Sequence, residues 1–398
     1  MNFFSREGCP ELFIIFDVGS SSLGGALVAL RKKHNPEVLY SARISFPVSE
    51  RPDSQKILLA ATSTLKELLS QIEKEALSAV HSCSGVFAAV KNVICVFASP
   101  WYLSQTKTVR TKWDTPTVFS KHFIDEVIAK EELTFEHSIA HSDYAEKFDK
   151  ELFLAEQNVI QVRLNGYATA LPYGKKASDA DMSFFSSFLS KPIVEKFSDI
   201  LGHAFHRESF IFHTFSLVSY RVVSKLFPDA QNFLLMDIAG EVSDLSLVKN
   251  GALVEAVSFP SGRNFLVRKI IKKLKVTPEI ALSYLRMRGS QKMDAVLSVG
   301  VEAAIQDAQE EWLAYLKEAI NSILPSGIAP RKIFITVDGD VADIFLDFLS
   351  HFGTALSPIV LDEKYFAHIV GFHPHVTPDP FLCLETTFLG SFSAQGLN

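Results

Sequence analysis

Phe13–Val28 reads FIIFDVGSSSLGGALV. Four apolar residues run into an Asp, a small Gly/Ser turn follows, and a second apolar run returns. The pattern predicts a strand, a tight polar turn and an antiparallel partner strand. The same design recurs at Phe233–Val248, FLLMDIAGEVSDLSLV, at an offset of 220 with no gap. Phe13 then meets Phe233, Asp17 meets Asp237, and Leu27 and Val28 meet Leu247 and Val248. In both copies the next apolar strand closes on Ser-Phe-Pro, at Ser45-Phe46-Pro47 and Ser258-Phe259-Pro260. A single Asp after an apolar strand is ordinary turn chemistry. Two in register, with the same sequel, point to a duplicated unit.

The rest of the composition frames that unit. A chain of 398 residues predicts two or more domains with sizeable cores. Its 47% hydrophobic and 21% charged residues are those of a folded protein. A net charge of −6 argues against nucleic acid as a main partner. Cys9, Cys83, Cys95 and Cys383 are scattered, with no CxxC and no metal spacing, and read as reduced core thiols. The nearly uncharged runs Asn92–Thr106 and Ser209–Tyr220 fall short of the roughly 20 residues of a spanning helix. No transmembrane segment is expected. The start, MNFFSREGCPELF, lacks a basic stretch followed by an apolar core, so no signal peptide is read and a cytoplasmic location is expected.

Along the chain, a strand is expected at Val38–Pro47, and a helix capped by Ser54 running to about Val80. Val93–Ser99 has the β-branched character of a central strand. The texture changes near Thr106. Lys121–Glu132 reads as helix, Val159–Val162 and Tyr167–Leu171 as strands, Pro172–Asp181 as a polar turn, and Phe184–Leu201 as a second helix. Phe210–Val218 is a strand-like run, and Val218–Leu226 a short helix before Pro228. In the second copy, Asn264–Lys275 is a basic helix, and Thr277-Pro278-Glu279 starts another that Gly289 would stop. Glu302–Leu324 carries one apolar face and ends before Pro325. Lys332–Val337 is a buried-type strand running into Asp338-Gly339-Asp340 and a helix at Val341–Phe352. The tail from Gly371 does not read as helix.

Two α/β halves, each opening with strand, Asp, Gly/Ser turn and strand, resemble the actin/Hsp70/sugar-kinase superfamily. The inserted material between them looks most like the FtsA and PilM branch of the actin-like ATPases. In that branch the first turn runs roughly DIGTSxxK, matched by Asp17, Val18, Gly19, Ser20, Ser21 and Ser22. The second runs DIGGGTTD, matched by Asp237, Ile238, Gly240, Ser243 and Asp244. An IPxGG turn is matched by Phe259-Pro260-Ser261-Gly262, and a strand–GGG–helix element by Ile335–Asp340 with Gly339. Asn165–Lys175, NGYATALPYGK, is similar to the FtsA insert. The resemblance implies a ribonuclease H-like two-lobed α/β fold. Its first lobe would cover residues 1–105 and 206–232, the small inserted α+β subdomain 106–205, and the second lobe 233–398.

By the same resemblance, ATP would lie between the two hairpin turns. Backbone amides of Gly19, Gly240, Gly262 and Gly339 and hydroxyls of Ser20, Ser21, Ser22 and Ser243 would contact it. Asp17 and Asp237 would hold Mg²⁺ through water. Several residues depart from the pattern, all at this one site. Gly24 and Gly25 stand where a Lys is expected, and Ala239 and Glu241 replace glycines. A Glu241 carboxylate facing the triphosphate would repel it by on the order of 4 kcal/mol per charge pair at 4 Å. Arg263 replaces the second Gly of IPxGG, Val337 and Asp338 replace two adenosine-side glycines, and Leu282 and Leu285 stand near a Glu and Lys of the relatives. Weak or absent nucleotide binding is therefore expected.

The implied function is a cytoplasmic scaffold of the cell-division (FtsA) kind. It would reach the membrane through a membrane-associated or cytoskeletal protein partner, with self-association into filaments as an option. A pilus-assembly (PilM) role and an ATP-dependent small-molecule kinase are the alternatives. Phe381–Asn398 carries no Lys or Arg, unlike the basic membrane-tethering helix that ends FtsA relatives. Lys269–Lys275, KIIKKLK, is a basic amphipathic stretch that reads first as a solvated helix face. His203 with His206, and His373 with His375, lack the carboxylate or Cys spacing of a metal site.

Overall fold

The computed structural model describes residues 10–51, 53–76, 86–140, 151–288, 293–324, 327–353 and 356–392. Cys9, Val80, Cys83, Gly289 and Pro325 lie outside them. The chain runs β1 (Glu11–Val18), β2 (Ser22–Leu30), β3 (Glu37–Ser45), α1 (Ser54–Glu75), α2 (Val86–Ala89) and β4 (Val90–Phe97). There follow β5 (Tyr102–Val118), α3 (Lys121–Ala140), β6 (Leu152–Leu164), β7 (Tyr167–Ala168), β8 (Lys176–Ser190), α4 (Lys191–Phe205), β9 (Ile211–Thr214) and α5 (Phe215–Leu226). The second repeat supplies β10 (Phe233–Ile238), β11 (Ser243–Lys249), β12 (Ala252–Phe259), α6 (Arg263–Leu274), α7 (Pro278–Met287), α8 (Ala295–Ile323) and β13 (Lys332–Val337). It finishes with α9 (Ala342–Ser350), β14 (Ser357–Val360), α10 (Glu363–Phe366), β15 (Gly371–Phe372) and α11 (Pro380–Phe392).

The duplication read from sequence is a duplication of topology. One sheet has the order β15-β3-β2-β1-β4-β9, another β12-β11-β10-β13-β14. Apart from the two-residue β15, each is a first hairpin and its third strand on one side, with two parallel strands on the other. Asp17 pairs with Gly24, and Asp237 with Asp244, at equivalent ladder positions. The third sheet, β5-β8-β6-β7, is antiparallel and carries α3 on a small core around Phe119, Ile124, Met182 and Phe184.

Side-chain alternation with period two decides what faces what. Along β1, Leu12, Ile14, Phe16 and Val18 face a layer that contains Leu65, Leu68 and Ile72 of α1 and Phe197 and Leu201 of α4. Phe13 and Ile15 face the opposite layer. Along β10, Leu234, Met236 and Ile238 face the core around Trp312 of α8, whereas Phe233 and Leu235 join Phe13 and Ile15. A single central core therefore lies between the two large sheets, filled by α5 and α11. Asp17 and Asp237 continue the inner-facing series 13, 15, 17 and 233, 235, 237. Both aspartates are delivered to the seam between the lobes.

Several expectations are corrected, among them the polar turn at Pro172–Asp181, which gives way to β8 from Lys176. Phe184–Leu201 does not begin as helix: Phe184–Ser190 belongs to β8, and the helix α4 starts at Lys191 with Pro192 in its first turn. Met182 and Phe184 face α3 while Phe185 faces the central core, an alternation only a strand provides. The segment 167–171 is strand only at Tyr167–Ala168. The tail does contain a helix, α11, started by Asp379, whose carboxylate accepts the Leu382 N–H at 3.0 Å. No stripe marked it because Phe381–Leu389 are all buried, and a helix buried all round needs no polar face. At the other end of the first lobe, Asp53 rather than Ser54 caps α1, accepting from the amides of Gln55 and Lys56.

Leu384 lies at the middle of α11 and is fully buried in the central core. Leu384→Ala is expected to cost about 2–5 kcal/mol of unfolding free energy, measured by chemical denaturation.

Candidate functional site: the seam between the two lobes

Asp17, Gly19, Ser20, Ser21, Ser22, Asp237 and Gly240 converge as expected, lining one small cavity with Arg43, Asp338 and Phe381. Its volume is ≈ 20 Å³, room for about one water molecule. The reason is the contact between the two turns. A Cβ built on Gly240 would lie 2.0 Å from the Ser21 Cβ, so only the absence of a side chain permits this approach. Beside it, the Glu241 N–H donates to Ser20 Oγ at 2.9 Å. The space that would receive phosphates is closed by the turns meeting each other.

The donors around the seam are also engaged internally. Gly262 packs so tightly that a Cβ would fall 2.2 Å from the Ala239 carbonyl. The amides of Arg263 and Asn264 donate to the Ala239 and Gly240 carbonyls at 2.9 and 2.8 Å. These are the N–H groups a helix N-terminus would otherwise offer an anion. Ser243 Oγ donates to the Ser261 carbonyl at 2.7 Å, away from the cavity. Gly339 has open space around it, while its neighbour Asp340 is held by Arg263 through Nε at 3.1 Å and Nη2 at 2.5 Å. Arg263, in the place of a glycine of the family pattern, thus ties the start of α6 to the turn after β13 by an ion pair. Glu241 does not face the seam, which removes the repulsion considered for it. Its carboxylate accepts from Asn264 Nδ2 at 2.8 Å and pairs with Arg268 at 2.7 Å.

The Lys position has a physical replacement. Gly24 sits opposite Arg43 in the β2–β3 ladder, and a Cβ on Gly24 would come within 2.8 Å of Arg43 Nη2. The guanidinium occupies the space left by that glycine. Arg43 pairs with Asp17 at 2.7 Å and with Asp379 at 2.5 Å, donates to Ser22 Oγ at 3.0 Å, and lies 5.0 Å over the Phe381 ring. Asp17, expected to hold Mg²⁺ through water, holds Arg43. Asp237, its counterpart, accepts from Thr336 Oγ1 at 2.7 Å. Among the described residues no group of three or more His, Cys, Asp or Glu could hold a metal ion. In this arrangement the cavity has no room for a triphosphate, and Asp17 is taken up by Arg43.

Burial sets the protonation of these acids. It lifts Asp17 above the usual carboxylate range despite Arg43, and pushes Asp237 well above it, with Asp244 adding to the effect. Asp244 is raised by burial too, although Tyr102 O–H donates to it across the seam at 3.2 Å. Asp379 goes the other way. Its burial is outweighed by Arg43 and by amides at the start of α11, so it stays ionised. Glu385 of α11 is 1% exposed, and neither carboxyl oxygen has a hydrogen-bond donor. Burial, then the adjacent Asp17 charge, pushes it well above its ordinary value.

Sequence reasoning missed Arg43, Asp379, Glu385 and Tyr102. Three of them left a signal: an Arg opposite a Gly in an apolar ladder, an Asp-Pro pair opening a helix, and a lone acid in the run PFLCLETTFLGSF. The KIIKKLK lysines are neutralised in part: Lys269 pairs with Glu311 and Lys273 with Asp307 of α8. Burial pushes the Cys383 thiol up to about 12 and the Cys95 thiol higher still, which leaves both inert.

No family model matches the chain, and no curated protein does. Among solved structures it is similar to a PilM-PilN type IV pilus biogenesis complex at TM-score 0.62 and 13% identity, over 97% of this chain and 98% of that one. It is also similar to a Bacteroides thetaiotaomicron protein with actin-like ATPase fold, at TM-score 0.42, 12% identity and coverage of 97% and 99%. MreB 5 of Spiroplasma citri bound to AMPPNP gives TM-score 0.43, 9% identity and coverage of 97% and 96%. With the doubled strand order, the chain has the actin-like ATPase fold.

A carboxyl whose folded-state pKa is raised stabilises the fold below its ordinary value and loses that contribution as pH climbs through the folded value. For Glu385 the loss begins above 4.5. Glu385→Gln is therefore expected to lose less thermal stability than the wild type as pH rises from that point, in parallel melting series.

Proposed function

We propose that this protein is an actin-like scaffold that works without ATP turnover, its cleft held shut by its own side chains, and that it acts by docking a protein partner. The observation that carries this reading is the direct meeting of the two turns at Ser21 and Gly240, with Arg43 seated on Asp17. An ATP-dependent enzyme of this fold would need a triphosphate between those turns. Cytoplasmic recruitment to a membrane through a partner is the mode this reading implies. Among the described residues no helix is long and apolar enough to cross a membrane. Of the two scaffold roles, pilus assembly is favoured over cell division, because the full-length likeness at TM-score 0.62 is to a PilM-PilN complex. The ATP-dependent kinase reading is supported by no feature of the seam.

Thermal denaturation with and without Mg-ATP separates scaffold from enzyme. A ligand at 100 times its dissociation constant adds about 2.7 kcal/mol, which a melt detects readily. No shift at millimolar Mg-ATP is expected; a clear upward shift would overturn the reading. Membrane recruitment is checked by sedimentation with anionic vesicles. The isolated chain is expected in the supernatant, and pelleting on its own would refute dependence on a partner.

A further inference from the structure

The acids nearest Arg43 come from opposite ends of the chain. Asp17 closes β1, whereas Asp379 and Glu385 belong to α11 and its cap, and no hydrogen bond links their carboxylates to any other cation of the described residues. Arg43 meets the first two together, Nη2 to Asp17 and Nε with Nη2 to Asp379. Glu385 stands against Asp17, 1% exposed and without a donor. Asp17 and Asp379, this deeply buried, require a cation of matching shape, because unpaired buried charge is costly. A planar guanidinium bridges two carboxylates where a point charge cannot. Gly24 leaves the space in which it fits.

We infer that Arg43 is a tethered guanidinium ligand of a carboxylate site made by Asp17 and Asp379, and that through it the C-terminal helix and the first turn hold each other in place. This rests on the reading of the seam as closed by its own side chains. The site takes a guanidinium group as its ligand class, and the chain supplies that ligand from β3. The first turn then keeps its geometry only while α11 is docked, since Asp379 both caps α11 and pulls on the guanidinium that fixes Asp17. The reverse also holds: Phe381, under the guanidinium, is the first aromatic of α11 to enter the central core.

Hydrogen exchange by mass spectrometry on the full chain tests this, reading peptides over residues 17–22 and 380–392. Arg43→Ala is expected to speed exchange in both by about a hundredfold or more. Millimolar ethylguanidinium should restore protection to the variant, with methylammonium ineffective and the wild type indifferent to either. Loosening of one segment without the other would overturn the inference, as would absent rescue or equal rescue by methylammonium. Should Arg43→Ala fail to fold, Asp379→Asn keeps an oxygen for the Leu382 amide but removes the charge. It is expected to speed exchange at residues 17–22, and unchanged exchange there would refute the coupling. A Mg-ATP shift in the wild type would defeat the scaffold reading while leaving the exchange result to stand separately.

Discussion

The two turns at the seam meet as closely as the missing side chain of Gly240 allows against Ser21. The rest of the seam is filled to match. The cavity shrinks to the size of a water, amides of the second turn and of α6 bond to hydroxyl and carbonyl oxygens of the protein, and the acids at the strand ends lose contact with solvent. Without bulk water, each carboxyl must find a cation, find a donor or stay protonated. Asp17 finds Arg43, Asp237 finds Thr336, Asp244 finds Tyr102, and Glu385 finds none.

The seam is therefore electrostatically self-contained on both sides. Arg43 serves the first lobe and α11, and Arg263 serves Asp340 in the second. Both arginines arise where the family pattern sets other residues, one opposite a lost Lys and one in place of a lost Gly. A guanidinium keeps its charge and forks between partners, so it suits a site that must be neutral at all times rather than one that exchanges ligands. The inserted sheet adds further ties. Glu156 accepts from Ser187 and Thr214, and Gln161 donates to the Asn250 carbonyl of the second lobe.

The fold was legible because it is written twice. A strand ending in Asp is ambiguous alone, and its copy removes the ambiguity, down to the ladder position of Asp17 and Asp237. The location of the candidate site followed, since period two sends both aspartates inward. Its chemistry was less legible. Glu241 next to a turn gives no hint that it folds back onto Arg268, and that direction comes from α6, far along the chain. Arg43 became meaningful only through register, when β3 was set opposite Gly24. The buried segments misled most. The run SFFSSFLS and the tail helix α11 are apolar on more than one face, so neither shows the amphipathic periodicity that distinguishes strand from helix.

The partners of Arg43 also impose an order on synthesis. Arg43 and Asp379 are separated by 336 residues. A chain emerging from the ribosome presents β1 to β3 long before α11 exists. Until the second lobe has been made, the first holds its central core half open, with a buried-type arginine and aspartate still in water. The central core and the Arg43 cluster are complete only with α11 in place.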